Sequence, residues 1–84
     1  LKELHNLMHL DLEENNIRDD GIAHLCKLTQ LQSLTLNYNR LTDEGAHWLK
    51  GFEEMKILNI KGNFITDQIV AELIESMPTA TINR

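Results

Sequence analysis

His9, Asp11 and Glu13 alternate along one short stretch, which brings an imidazole and two carboxylates to one side of an extended segment. Imidazole with carboxylates is a ligand set for a divalent cation. A flat, exposed strand supplies neither enough ligands nor the outer hydrogen bonds that order them, so a solvated acidic patch and no metal is the expectation. Cys26 and His24 are the next pair of interest. A nucleophilic thiolate needs a base within reach, and residues two apart on a helix point to different sides, so Cys26 reads as a quiet, partly buried thiol. His5, His24 and His47 read as surface residues on or near helices. The chain has no Ser/His/Asp order, no phosphate-cradling glycine loop, no His-Glu-x-x-His and no paired cysteine motif. Neither catalysis nor a cofactor is expected.

The elements that must position any site follow from repetition. LMHLDLEENNI begins at Leu7, LQSLTLNYNRL at Leu31 and MKILNIKGNFI at Met55, one copy every 24 residues, each fitting L-x-x-L-x-L-x-x-N-x-L/I. The second halves repeat as well: Asp19, Asp43 and Asp67 are followed by the apolar Ile22, Ala46 and Val70, then by Leu25, Leu49 and Leu73. These copies resemble the leucine-rich repeat family, and Leu1 and Leu4 match Leu25 and Leu28, so the resemblance spans the chain. Residues 7–30, 31–54 and 55–78 read as repeats, with partial repeats at 1–6 and 79–84. The chain is expected to be a piece of a longer array whose uncapped ends need flanking repeats, caps or end-to-end self-association to cover them.

The resemblance implies an α/β leucine-rich repeat solenoid, a right-handed superhelix with parallel strands on its concave face and short helices on its convex face. The residue pattern agrees. The L-x-L cores Leu10-Asp11-Leu12, Leu34-Thr35-Leu36 and Leu58-Asn59-Ile60 have the period of a strand with one buried face. A single coil has too few apolar groups to offset the entropy of ordering it, so stability is cooperative among neighbours. Asn15, Asn39 and Asn63 fall where the chain leaves the strand, and an amide that both donates and accepts suits a ladder serving turn groups in its own coil and the next. Asp19, Asp43 and Asp67, or Thr42 and Thr66 before the last two, are candidate helix caps. Asp-x-Gly at Asp19 to Gly21 and Asp43 to Gly45 is similar to ribonuclease-inhibitor-like repeats and to the 24-residue repeats of some bacterial effectors. Ile69 interrupts that glycine column and Ser76 the Leu28/Phe52 column, so the third helix is expected to sit differently, with Met77 filling the gap.

If strand side chains alternate, the concave surface is written by His9, Asp11, Glu13 and Glu14, then Ser33, Thr35, Asn37 and Tyr38, then Ile57, Asn59, Lys61 and Gly62, with Thr81 and Asn83 continuing the columns. That face runs from acidic to mildly basic around Tyr38 and suits a protein partner. Trp48 stands where the other copies have His24 and Glu72, so it is expected on the outside or a flank. With 13 Asp and Glu against 8 Lys and Arg, a net charge of -5, a nucleic-acid backbone is a poor partner. No apolar run is long enough for membrane insertion. One cysteine, and the absence of the cysteine-rich caps of the family's extracellular members, favour an intracellular, cytoplasmic setting, or delivery into a host cytoplasm for a bacterial effector. The expected function is a non-catalytic protein-protein interaction module. The alternative that the resemblance implies is the substrate-recognition arm of a larger multidomain enzyme, such as a ubiquitin-ligase effector.

Overall fold

A computed structural model describes residues 8–28 and 30–84. Leu1, Leu4, His5 and Leu7, on which part of the first repeat's reading rests, lie outside the described residues. Strands and helices alternate: β1 His9–Asp11, α1 Asp19–Leu25, β2 Ser33–Thr35, α2 Asp43–Trp48 with a 3-10 turn at Leu49–Gly51, β3 Ile57–Asn59, α3 Asp67–Ser76 and β4 Thr81–Asn83. The four strands form one parallel sheet in chain order. Leu10 pairs with Leu34, Leu34 with Leu58, and Leu58 with Ile82, so the register keeps the motif's own spacing. The helices pack α1 on α2 and α2 on α3. This is an α/β repeat fold.

The strands are only three residues long because of what flanks them. The middle residue of each L-x-L faces out, the two leucines face in, and the next apolar position already belongs to the core that continues under the turn. Leu34 and Leu36 are fully buried, as are Leu31, Leu41, Ala46, Leu49 and Phe52 from the same repeat. Those seven positions are one filled layer between two neighbours. In the third repeat Leu58, Ile60, Val70 and Leu73 do the same work. Ser76 closes the ten-residue α3 with its hydroxyl donating to the Leu73 carbonyl (3.0 Å), and Met77 enters the core at 5% exposure.

Helix starts are tied across repeats, which neither candidate cap alone describes. Each helix begins at its Asp, with Arg18, Thr42 and Thr66 at the N-cap positions. The Asp19 carboxylate accepts from the Thr42 amide (2.8 Å) and the Thr42 hydroxyl (2.5 Å), 23 residues on. Asp43 accepts in the same way from the Thr66 amide (2.8 Å) and hydroxyl (2.7 Å). Thr42 in turn accepts from the Glu44 amide, so Asp, Thr and helix form a chain of bonds that joins one repeat to the next. A Cβ at Gly45 would sit 2.2 Å from Asp19 Oδ1, so the close approach of α2 to Asp19 requires glycine there. Ile69 occupies the same position of α3 and is buried, and Asp43 keeps both Thr66 bonds beside it.

Candidate interaction surface

The polar residues of each repeat divide into a set whose atoms are committed inside the fold and a set that faces out. Asn39 belongs to the first set and is 5% exposed. Its Oδ1 accepts from the amides of Asn15 and Ile17, both at 2.9 Å. Its Nδ2 donates to the carbonyls of Leu12 (2.9 Å) and Leu36 (3.0 Å). The amide therefore serves its own turn and the preceding one, where the reading from sequence has it serving the following one. The side chain projects back against the direction of the chain, toward the turn whose amides open in its direction. Asn63 repeats the pattern, accepting from the Leu41 amide (3.1 Å) and donating to Leu36 (2.8 Å) and Ile60 (3.0 Å). Asn15 is exposed, and its Nδ2 donates to the Glu13 carbonyl of its own turn.

Of the residues assigned to the outward strand face, His9, Asp11, Ser33, Thr35, Ile57 and Asn59 are on strands. Glu13, Glu14, Asn37, Tyr38, Lys61 and Gly62 are not. The strands end at Asp11, Thr35 and Asn59, because the chain must turn toward the asparagine within four residues. His9, Asp11 and Glu13 thus do not share one strand face. Asp11 Oδ1 accepts from the Glu13 amide (3.0 Å), and Glu13 Oε1 accepts from Asn37 Nδ2 (3.1 Å). Among the described residues no group of three or more His, Cys, Asp and Glu is placed to hold a metal ion.

Two outward columns are cross-linked along the sheet. Asn83 Nδ2 donates to Asn59 Oδ1 (2.7 Å), and Asn59 Nδ2 donates to the Thr35 hydroxyl (3.0 Å). Asn37, besides donating to Glu13, accepts from the Lys61 amide (2.8 Å). What stays open is His9, Ser33, Ile57 and Thr81, one column across the four strands, together with Glu14, Tyr38 and Lys61 in the turns. Ile57 is 44% exposed and Tyr38 50%. Apolar area of that kind, set among short polar side chains, is the composition of a contact surface.

The turns hold one further pattern. Glu14, Tyr38 and Gly62 stand 24 residues apart and all have left-handed backbone, with φ of 57°, 59° and 73°. A Cβ at Gly62 would lie 2.3 Å from Tyr38 Cδ1, so the Tyr38 ring lies against the Gly62 backbone, in space that only glycine leaves open. Arg40 and Phe64, two residues beyond Tyr38 and Gly62, are exposed, Phe64 to 69%. The sequence reading passed over them. Their signal is the variable position just after the motif's asparagine, where the three copies hold Asn16, Arg40 and Phe64.

The helical side offers less. Trp48, 47% exposed, closes α2. Lys50 and Glu72 make an ion pair at 2.5 Å beside a shallow hollow that Glu75 and Ser76 complete. His24 and His47 are exposed, and the Cys26 thiol donates to the Ala23 carbonyl at 2.8 Å. The Thr66 hydroxyl, and after it the Thr66 amide, hold the Asp43 carboxyl below its ordinary value of 3.8.

Comparison with known proteins gives one positive finding. A family model described as a leucine-rich repeat matches residues 3–26 and 27–47, together just over half of the chain. No curated protein is similar enough to count as a match.

Proposed function

We propose that this chain, which belongs to the leucine-rich repeat family, acts as a non-catalytic module that holds a protein partner on the outer strand face and the turns continuous with it. Domains of this family are generally protein-interaction modules. The observation that carries the reading to this surface is the open column of His9, Ser33 and Ile57 together with the exposed Tyr38, on a face whose Thr35, Asn37, Asn59 and Asn83 side chains are bonded to neighbouring repeats. Apolar and aromatic groups set among small polar neighbours desolvate at low cost and pack well, which is how interfaces gain affinity. The residues proposed to meet the partner are His9, Asp11, Glu13, Ser33, Thr35, Asn37, Tyr38, Ile57, Asn59 and Lys61. The single cysteine supports a place in a reducing, cytoplasmic compartment.

The reading is tested by placing a photo-cross-linking amino acid at Ile57 and, separately, at Ile74 on the exposed side of α3. Adducts with another protein are expected from position 57 and not from position 74. Adducts from position 74 alone would move the contact to the helices and end the proposal.

A further inference from the structure

The rim formed by the second and third turns, next to the strand face, combines features that the first turn lacks. Tyr38, Arg40, Lys61 and Phe64 are all exposed. They are also neighbours: the Tyr38 amide donates to the Lys61 carbonyl (2.7 Å), the Phe64 amide to the Leu41 carbonyl (2.8 Å), and Arg40 and Phe64 hold the same position one repeat apart. Two aromatic rings and two cations thus share one edge, with no acidic side chain among the turn residues from Asn37 to Arg40 or from Lys61 to Phe64. The first turn presents Glu13 and Glu14 in their place.

Two observations point from that edge to a ligand. In a chain of net charge -5, the ion pairs among the described residues are Lys50 with Glu72 and Arg84 with Asp67, so Arg40 and Lys61 are spent on neither. Tyr38 stands at the left-handed position that every turn repeats, and it alone of the three places an aromatic ring there, set against Gly62 with half its area in solvent. A ring already held in place loses little freedom on binding.

We infer that this rim docks an acidic protein segment, Arg40 and Lys61 taking its carboxylates while Tyr38 and Phe64 take its apolar residues. The inference rests on the reading of the chain as a protein-interaction module and names the chemistry of the partner. Guanidinium and ammonium groups flanked by apolar surface favour Asp or Glu interleaved with aliphatic or aromatic residues. Glu13 and Glu14 repel such a segment, so it lies over the second and third turns and ends short of the first.

The test pans a random dodecapeptide display library on the whole chain and measures enriched peptides by fluorescence anisotropy. Enriched peptides are expected to be rich in Asp or Glu beside apolar residues and to bind more weakly as salt rises. The double variant Arg40→Glu with Lys61→Glu, confirmed folded by circular dichroism, is expected to lose tenfold or more in affinity. Glu14→Lys is expected to gain severalfold, and Trp48→Ala to change nothing. Peptides without acidic excess, acidic peptides indifferent to the double charge reversal, or a single-stranded oligonucleotide that competes equally well would each overturn the inference. Peptides lost only on Ile57→Ala would overturn it while leaving the strand-face module standing. A library that yields no binder at all would overturn both.

Discussion

The first and second repeats carry the same motif and are held to different degrees. In the second, Leu31, Leu34, Leu36, Leu41, Ala46, Leu49 and Phe52 are all fully buried, Asn39 is enclosed, and Thr42 caps the helix with its hydroxyl. In the first, Ile22 is fully buried, but Leu10, Leu12, Ile17, Leu25 and Leu28 are half-buried, Asn15 is exposed, Arg18 at the helix start gives no side-chain cap, and Asn16 joins Glu14 in left-handed backbone. The motif specifies which atoms point inward. How far they are buried is set by the repeats on either side, and the Asp-to-Thr and asparagine links reach from one repeat into its neighbour.

The largest expected effect that sharpens this contrast comes from the leucines. Leu36→Ala should cost about 3 to 5 kcal/mol in urea unfolding, as for a fully enclosed leucine, and Leu12→Ala about half as much. Equal losses would mean that burial follows the motif and not the neighbours. Next in size, Asn39→Ala should cost about 1 to 3 kcal/mol, because it strands the amides of Asn15 and Ile17 and the carbonyls of Leu12 and Leu36. Asn15→Ala should stay within about half a kcal/mol, the range of an exposed substitution.

The smallest effect is electrostatic. Hydrogen bonds from Thr66 lower the folded pKa of Asp43 below 3.8, its ordinary value. The stability this gives is therefore complete above that value and is lost as pH falls through the folded pKa. Thr66→Val should raise the Asp43 pKa toward 3.8 in a carboxyl-carbon NMR titration and shrink the acid-side loss of stability. An unchanged titration would remove the inter-repeat bond from the account.

Much of this was readable in the residues. The 24-residue spacing of Leu10, Leu34 and Leu58 gives the paired strand centres, and the alternation around them gives the inward faces. The loss of the large apolar residue at Ser76 pointed to Met77 as a core residue, and it is buried. The bond from Asp19 to Thr42 did not, because it joins side chains 23 residues apart and local cap rules look only within one helix. The strand face was drawn too long for a related reason: period-two patterning continues through Glu13, Asn37 and Lys61, although the backbone has already turned toward the asparagine. Gly62 was the one hint of left-handed backbone in the turn, and Glu14 and Tyr38 hid it in the other two copies. The rim at Arg40 and Phe64 was missed because a variable position in a motif carries no periodic signal.

The central claim is that the enclosed Asn39 amide ties its own turn to the preceding one, while the exposed Asn15 amide is bonded only to the Glu13 carbonyl of its own turn. It is tested most directly by NMR exchange rates of the asparagine side-chain amide protons. The Asn39 protons, bonded to Leu12 and Leu36, should exchange at least tenfold more slowly than those of exposed Asn15. Equal rates at Asn39 and Asn15 would contradict it, since the ladder that separates the two repeats would then not be closed in solution.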